Sequence, residues 1–170
     1  MMTLPEIPAL LDSLEARLEL CLDRLAVDRD RLALVGIHTG GVWVAEQLHM
    51  RLGLPTPLGT LDIGFWRDDF DHQGLPEGIR ASELPFAVEG RDILLVDDVI
   101  MSGRTIRAAL NELFDYGRPR RVLLASLLSL PGRELPIQPD ACGAELSLAP
   151  GQRVKLQGPD PLTLSLVERR

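Results

Sequence analysis

The 170-residue sequence predicts an α/β protein with a single domain, in which helices cover both faces of a mostly parallel β-sheet. Two observations support this prediction. A buried strand is twice followed by a polar, glycine-bearing loop and an amphipathic helix, once from Leu32 and once from Ile93. The composition is 45% hydrophobic, which is typical of a compact chain that buries one sizeable core.

The N-terminal segment, residues 1–30, is predicted to contain one long helix. Apolar residues recur from Ile7 to Leu25 at the three- and four-residue spacing of a single helical face. Charged residues fall on the opposite side. We therefore expect this helix to pack against the sheet rather than against a membrane or a partner helix.

The first strand–loop–helix unit begins with a predicted buried strand over Leu32–Ile37. A glycine-bearing turn leads into a helix over Val42–Leu52, which Gly53 ends. Another strand is predicted over Leu58–Ile63. From Phe65 to Pro85 the apolar residues follow neither the helical nor the strand spacing. A segment of this length inside a compact domain is usually functional or mobile.

The second unit, residues 93–105 and the helix that follows, is the most informative part of the chain. Four apolar residues, Ile93–Val96, predict a buried strand that stops at Asp97 and Asp98. A turn of small and polar residues follows, and apolar residues then recur at helical spacing as far as Phe114. Tyr116-Gly117 closes that helix.

The C-terminal third is predicted to be rich in strands. Val122–Leu128 indicates another buried strand of the sheet. Three shorter apolar stretches are separated by proline- and glycine-rich turns, which predicts small antiparallel strands at a sheet edge. These stretches are Ala144–Leu148, Val154–Leu156 and Leu162–Val167.

The loop of residues 97–105 combines two chemistries that suit a ribose phosphate. The N-terminus of a helix offers unpaired N–H groups to an anion, Gly103 lets the backbone approach it, and Ser102 and Thr105 add hydroxyl donors. The two aspartates would repel phosphate, but they can accept hydrogen bonds from ribose hydroxyls or hold Mg²⁺ through water. The alternative is purely structural, an aspartate at a strand end followed by a Ser/Thr helix cap.

Several other classes of protein are disfavoured by the sequence. It contains neither the P-loop pattern nor a Gly-x-Gly-x-x-Gly after a strand, which disfavours a P-loop NTPase and a dinucleotide enzyme. The net charge of −7 disfavours indiscriminate nucleic-acid binding, although one basic patch would suffice for a specific contact. Two distant cysteines give no metal-site spacing. With neither a membrane-length apolar run nor a secretory signal, we expect a cytoplasmic protein.

Residues 93–105 resemble the phosphoribosyl-pyrophosphate (PRPP) signature of the type I phosphoribosyltransferases. The segments 103–109, 116–119 and 133–137 are similar to one branch, the pyrimidine operon attenuation regulators that also have uracil phosphoribosyltransferase activity. The resemblance extends from about Leu32 to about Val167. It implies the type I phosphoribosyltransferase fold with a flexible loop and a small hood.

The resemblance also implies an activity and partners. The enzyme would use Mg²⁺ and make UMP and pyrophosphate from uracil and PRPP. The regulator would sense UMP or UTP and bind the leader mRNA of the pyrimidine operon. A homo-oligomer, dimer or tetramer, is expected.

The resemblance assigns roles to individual residues. Asp97 and Asp98 are expected to be catalytic and to hold the metal, directly or through water. Arg67 and Arg80 of the flexible loop are candidates for contacting pyrophosphate. The base hood is expected at Arg133, Glu134 and Leu135. Candidates for contacting RNA are Arg118, Arg120 and Arg121, which a solvated surface explains equally well. The residues expected to bind PRPP or the nucleotide are Thr39, Gly40, Gly41, Val99, Ile100, Met101, Ser102, Gly103, Arg104 and Thr105.

Two loops depart from the family pattern. Family members tend to carry Thr-Arg-Gly where this chain has Thr39-Gly40-Gly41, so the backbone donors remain but an arginine that can touch the diphosphate does not. The family's Asp-Arg-Gly-His is replaced by Ser129-Leu130-Pro131-Gly132, which leaves backbone groups to read the edge of uracil. Two alternatives stay open: a phosphoribosyltransferase for another base without an RNA role, and a nucleotide-sensing regulator with little catalysis.

Overall fold

The computed structural model describes residues 2–64 and 82–168. Its elements, in chain order, are α1 (Ile7–Arg24), β1 (Ala33–Ile37), α2 (Gly40–Leu52), β2 (Gly59–Leu61), β3 (Asp92–Ile100), α3 (Arg104–Phe114), β4 (Arg121–Ser129), β5 (Ala141–Glu145), β6 (Gln152–Gln157) and β7 (Thr163–Glu168). The predicted helices and the strands up to β4 all form, with ends that move by up to four residues.

A five-stranded sheet in the order β2-β1-β3-β4-β5 forms the centre of the fold, and every pair of neighbours in it is parallel. Strands β6 and β7 form a separate antiparallel pair. The predicted α/β class with a mostly parallel sheet is therefore confirmed. In such a sheet the carboxyl ends of the strands lie along one edge, where ligands bind.

Helices cover both faces of the sheet because its strands are apolar on both sides. On one face the core joins Leu14 and Leu18 of α1, Leu48 of α2 and Leu94 of β3, all with no exposed surface. On the other face Leu113 of α3 packs in the same cluster as Ile93, Leu95 and Val35 of the strands. Successive strand residues point to opposite faces, so one continuous apolar run serves both cores.

Strand β3 continues past the point where the sequence predicts that it ends. Asp97 pairs with Ser126 of β4, and Ile100 pairs with Ser129, so the strand carries both aspartates and reaches Ile100. The prediction that the strand stops at the aspartates is therefore wrong. The physical reason is that β4 is itself nine residues long and offers β3 pairing groups over its whole length.

The C-terminal strands differ from the prediction of small antiparallel edge strands. Strand β5 begins at Ala141 and pairs in parallel with β4, because Ala125 and Ser126 meet Ala141 and Cys142 in register. The antiparallel prediction is wrong there and correct for the β6–β7 hairpin. That hairpin packs against the core to which α1 and α2 contribute, through Leu156, Leu162 and Leu164.

Neither cysteine forms a disulfide. Cys21 and Cys142 are both free and buried. Burial raises the pKa of the Cys142 thiol, so that side chain stays protonated and unreactive at neutral pH. Over residues 2–64 and 82–168, no helix combines the length and the apolar character needed to cross a membrane.

Candidate active site

A cavity of about 570 Å³ opens at the carboxyl ends of β3 and β4. One wall comes from β3 and the start of α3, with Asp97, Asp98 and Thr105 among its residues. The other wall comes from Leu130, Pro131 and residues 148–154, which lead into β6. Residues about fifty positions apart in the chain therefore face each other across one cleft.

The two aspartates are held by the backbone that follows them. The carboxylate of Asp97 accepts the N–H of Asp98 at 2.9 Å, and the carboxylate of Asp98 accepts the N–H of Val99 at 2.8 Å. Asp97 is buried, with 5% of its surface exposed, whereas Asp98 is half-buried. A carboxylate has about four acceptor positions, so the half-buried Asp98 retains lone pairs for further donors or for a cation.

The N-terminus of α2 lies directly against these carboxylates. A Cβ atom added at Gly40 would be 2.2 Å from Oδ2 of Asp98, and one added at Gly41 would be 2.6 Å from the carbonyl oxygen of Val96. Neither glycine has a positive φ, so glycine is needed here for space. The structure therefore brings the predicted Thr39–Gly41 loop together with both aspartates, and the positive end of the α2 dipole favours their negative charge.

The turn between β3 and α3 is shaped by a glycine in the left-handed region and by a hydroxyl that bonds to the first turn of the helix. Gly103 precedes the helix with φ of 91°, in the left-handed region that glycine adopts at no cost. The hydroxyl of Ser102 accepts the N–H of Arg104 at 3.1 Å and so fixes the first turn. Thr105 and Met101 line the cavity, while Arg104 turns outward and pairs with Glu134 at 3.4 Å.

The donor set suits a magnesium ion that binds together with a substrate. Within the described ranges, no group of three or more His, Cys, Asp or Glu side chains is placed to hold a metal alone. Mg²⁺ commonly binds through one or two carboxylates and completes its shell with water and substrate phosphates. Asp97 and Asp98 provide that number of carboxylates on one wall of the cavity.

The residues of the predicted base hood do not line the cavity, although Leu130 and Pro131 just before them in the sequence do. Arg133, Glu134 and Leu135 are not among the residues that line the 570 Å³ cavity. They lie beneath the β3–α3 turn, where the N–H groups of Glu134 and Leu135 donate to the carbonyl oxygen of Ser102 at 2.9 and 3.3 Å. The cavity wall opposite Asp97 and Asp98 is built instead by Leu130, Pro131 and residues 148–154.

Residues 148–154 are the part of the site that sequence reasoning missed. Their only local signal is a Pro150-Gly151 turn followed by the polar–apolar alternation of β6. Nothing in that pattern indicates which end of the distant β3 strand the turn will face. The docking of the hairpin on the core decides it, through contacts such as that of Trp43 with the Gly158 and Leu162 region.

The three candidate RNA contacts lie at the opposite end of the sheet. Arg121 and Asp92 are the first residues of β4 and β3, and Asp92 precedes Asp98 by six positions, or about 20 Å of extended strand. Arg121 bonds to both carboxylate oxygens of the buried Asp92, at 3.0 and 3.2 Å. Arg120 is 66% exposed, and Arg118 is exposed. Arg121 is thus engaged inside the protein, whereas Arg118 and Arg120 remain accessible.

The candidates of the predicted flexible loop, Arg67 and Arg80, lie outside the described residues. The part of that segment that is described, from Ser82 onward, pairs with the sheet edge. Glu83 and Thr60 exchange two backbone hydrogen bonds of 2.9 and 2.7 Å.

Comparison with known proteins gives a consistent result. The model of the family "Phosphoribosyl transferase domain" matches residues 5–145. A protein of Pseudomonas fluorescens named "Bifunctional protein PyrR" is 56% identical over 165 residues, which cover 97% of both chains. Proteins of the same name from Pseudomonas syringae and Pseudomonas aeruginosa are 53% and 56% identical, with 97% and 96% of this chain covered and 96% and 95% of theirs.

Solved structures agree in fold. A hypoxanthine phosphoribosyltransferase from Staphylococcus aureus superposes with a TM-score of 0.63 at 18% identity, covering 85% of this chain and 77% of its own. A purine phosphoribosyltransferase from Pyrococcus horikoshii gives a TM-score of 0.58 at 21% identity, covering 81% and 84%. At these identities the similarity is one of architecture alone.

Proposed function

The chain belongs to the phosphoribosyltransferase family and, within it, to the PyrR proteins, and from this premise we propose that it is bifunctional. As an enzyme it is a uracil phosphoribosyltransferase, which converts uracil and PRPP to UMP and pyrophosphate. As a regulator it responds to pyrimidine nucleotides and controls pyrimidine-operon expression by binding leader RNA.

One observation supports the enzymatic proposal above all others. The 570 Å³ cavity has a carboxylate and helix-terminus wall, suited to a ribose phosphate, and faces a second wall of largely apolar residues, suited to a flat base. Leu130, Pro131, Leu148 and Val154 supply apolar surface to that second wall. A cavity of this size is within the range that holds a small ligand.

The proposed roles follow from the geometry of each group. The segment 99–105 binds the 5′-phosphate at the positive end of α3 through its hydroxyls and through its N–H groups other than those of Val99 and Arg104, which donate to Asp98 and Ser102. Asp97 and Asp98 accept hydrogen bonds from the ribose hydroxyls and so orient the ring. The backbone of Thr39–Gly41 turns toward the diphosphate, and Arg67 and Arg80 are proposed to close on it. A ring nitrogen of uracil then bonds to C1 of the ribose as the C1–O bond to the diphosphate breaks, and the proton of that nitrogen leaves to solvent or to the diphosphate.

Catalysis in this proposal rests on positioning and on charge. The residues of the cavity hold the two reactants in one orientation, which lowers the entropic part of the barrier. Asp97 and Asp98 would hold Mg²⁺, and the ion would neutralise negative charge on the diphosphate. The altered segment Ser129–Gly132 and residues 148–154 leave backbone N–H and C=O groups to read the edge of uracil.

The regulatory proposal uses the same cavity as a sensor. UMP or UTP would bind where PRPP and uracil bind, and the exposed Arg118 and Arg120 would contact RNA phosphates at the other end of the sheet. A homo-oligomer, dimer or tetramer, would present two or more such surfaces. Size-exclusion chromatography with light scattering measures that state directly.

The test of the enzymatic proposal is base turnover. Purified protein is incubated with PRPP, Mg²⁺ and one radiolabelled base at a time, with uracil, cytosine, thymine, adenine, guanine and hypoxanthine as the panel. We expect a labelled nucleotide from uracil alone, with equimolar pyrophosphate. Turnover of another base instead of uracil would establish the alternative of a different substrate. Nucleotide binding without turnover of any base would favour the sensing regulator with little catalysis.

A further inference from the structure

We propose that Arg133 is a positioning residue that sets the orientation of the phosphate-binding turn, residues 100–103. This inference rests on the proposed function, because it assumes that the turn binds the 5′-phosphate of PRPP or UMP. It assigns Arg133 a role different from base recognition. The proposal comes from the hydrogen bonds of its guanidinium and from those of the backbone beside it.

All five N–H groups of the Arg133 guanidinium have a partner within the protein. Nε donates to the carbonyl oxygen of Ile137 at 2.8 Å. Nη1 donates to the carbonyl oxygens of Met101 and Leu130 at 2.7 and 2.8 Å. Nη2 donates to the hydroxyl of Ser129 at 2.8 Å and to the amide oxygen of Gln138 at 3.2 Å. A guanidinium has five donors, so none remains for a ligand.

These bonds join three segments that carry the site. Met101 belongs to the turn before α3, Ser129 and Leu130 lie at the end of β4, and Ile137 and Gln138 follow the segment beneath the turn. Met101 and Leu130 both line the 570 Å³ cavity, and Arg133 does not. Arg133 therefore ties together the backbones of two lining residues through their carbonyl oxygens.

Residues 130–135 donate hydrogen bonds to three successive carbonyl oxygens of the turn. The carbonyl oxygen of Ile100 accepts the N–H of Leu130 at 2.8 Å, that of Met101 accepts Arg133, and that of Ser102 accepts Glu134 and Leu135. The peptide bonds of residues 100–104 are trans. In a trans peptide the C=O and the next N–H point in opposite directions.

The consequence concerns the N–H groups. Because three consecutive carbonyls point to the segment 130–135, the N–H groups of Met101, Ser102 and Gly103 point away from it. Successive N–H groups that point to one side form a concave site for an anion. Of the three carbonyl groups, only that of Met101 is bound by a side chain, the charged and forked guanidinium of Arg133. The other two accept backbone N–H groups, which a substitution of Arg133 leaves in place. Its loss would let the Met101–Ser102 peptide rotate and weaken the phosphate site.

The test compares the affinity for UMP with that for uridine, which differ only in the 5′-phosphate. Isothermal titration gives both dissociation constants for the wild-type protein and for Arg133→Gln and Arg133→Lys. Lysine keeps the charge but lacks the planar fork. Arg91→Gln is the matched control, because Arg91 also donates to two backbone carbonyls, those of Ala87 and Arg31, but does so at the start of β3.

We expect the ratio of the uridine to the UMP dissociation constant to fall about 10- to 100-fold in Arg133→Gln, the effect of losing one or two charge-assisted hydrogen bonds. Arg133→Lys should give an intermediate fall, and Arg91→Gln should keep the wild-type ratio. In turnover, KM for PRPP should rise while KM for uracil stays within about twofold. Thermal melting of each variant checks folding, and if the glutamine variant does not fold, the lysine variant decides.

Two results would overturn the inference in distinguishable ways. If the Arg133 variants weaken UMP and uridine equally, Arg133 supports the fold or the base and does not position the phosphate turn. If the wild-type protein itself binds UMP no more tightly than uridine, the proposed nucleotide site fails first, and the inference fails with it.

Discussion

At the scale of single residues, the site depends on where two carboxylates are held. Asp97 and Asp98 each accept the next backbone N–H, at 2.9 and 2.8 Å, so the local chain helps to fix both carboxylates. Adjacent carboxylates beside the positive ends of α2 and α3 are suited to bind ribose hydroxyls and a cation at the same time. Their role is therefore directly testable by removing one charge at a time.

The first prediction concerns these charges. Asp97→Asn and Asp98→Asn should each lower kcat/KM for UMP formation by roughly 10- to 1000-fold, or about 1.4–4 kcal/mol, because a charged contact to the transition state is lost. Initial rates with saturating Mg²⁺ measure this. Asp23→Asn, which removes an exposed charge on α1 far from the cavity, is the control and should retain full activity. Normal rates in both site variants would exclude the two carboxylates from the mechanism.

The second prediction concerns the space at Gly40. A Cβ there would lie 2.2 Å from Oδ2 of Asp98, so Gly40→Ala must displace the carboxylate or the start of α2. We expect at least a tenfold loss of turnover with a small change in melting temperature. An Asp98→Gly background removes the three side-chain atoms that crowd this position, so adding Gly40→Ala there should cost little more. Equal losses from Gly40→Ala in both backgrounds would show that the contact is not the reason for the glycine.

The sequence predicts these residues only in part. The pair Asp97-Asp98 and the glycine before α3 are local in the chain, so their pattern indicates a phosphate turn. The contact of Gly40 with Asp98 joins positions 58 apart and depends on how α2 packs on β3. The hydrogen bonds of all five Arg133 donors likewise depend on acceptors that lie both before and after Arg133 in the sequence. No sequence spacing reveals this arrangement.

At the scale of elements, the length of β3 is set by its pairing with β4 and not by its apolar pattern. The four apolar residues Ile93–Val96 predict a short strand, yet β3 runs to Ile100 because β4 pairs with it that far. The extension matters for the site because the last residues of β3 carry the two aspartates, which line the cavity together with residues 148–154. The hairpin, in turn, was predicted as strands but not as a wall of the cavity, because its docking is set by tertiary packing.

The third prediction concerns the ion pair that joins the starts of β3 and β4. Asp92 is 5% exposed and accepts two hydrogen bonds from Arg121. Arg121→Ala should lower the free energy of unfolding by about 3 kcal/mol, because it leaves a buried carboxylate with only the longer contact to Arg120. Urea unfolding followed by circular dichroism measures the change. Arg118→Ala, at an exposed side chain, should change it by less than about 0.5 kcal/mol; equal stability of all three proteins would contradict the account.

At the scale of the whole molecule, the accessible arginines and the cavity lie at different ends of the sheet, which would let the two proposed functions use separate surfaces. The net charge is −7, so RNA binding requires a local surface where arginines are accessible. Arg118 and Arg120 meet that condition at the end of the sheet away from the cavity, whereas Arg121 is occupied by Asp92. The two activities would therefore use opposite ends of one sheet and communicate through it.

The fourth prediction is that Arg118→Glu together with Arg120→Glu weakens binding of the pyrimidine leader RNA and leaves uracil turnover unchanged. The logarithm of the affinity should fall linearly with the logarithm of salt, with a slope of about −0.7 to −0.9 per phosphate neutralised. UMP should shift the affinity by a coupling free energy of about 1–3 kcal/mol. Filter binding with an unrelated RNA of equal length is the control, and no preference for the leader would remove the RNA role while the transferase remains.

We propose that one cavity, at the carboxyl ends of β3 and β4, binds a ribose 5′-phosphate on one wall and uracil on the other. A crystal structure of the protein with UMP tests it most directly. We predict the 5′-phosphate within hydrogen-bond distance of the N–H groups of residues 101–103 and of Thr105, the ribose hydroxyls at Asp97 and Asp98, and the base between Pro131 and residues 148–154. UMP bound elsewhere, or with its phosphate at Thr39–Gly41 and its base away from the hairpin, would contradict the account.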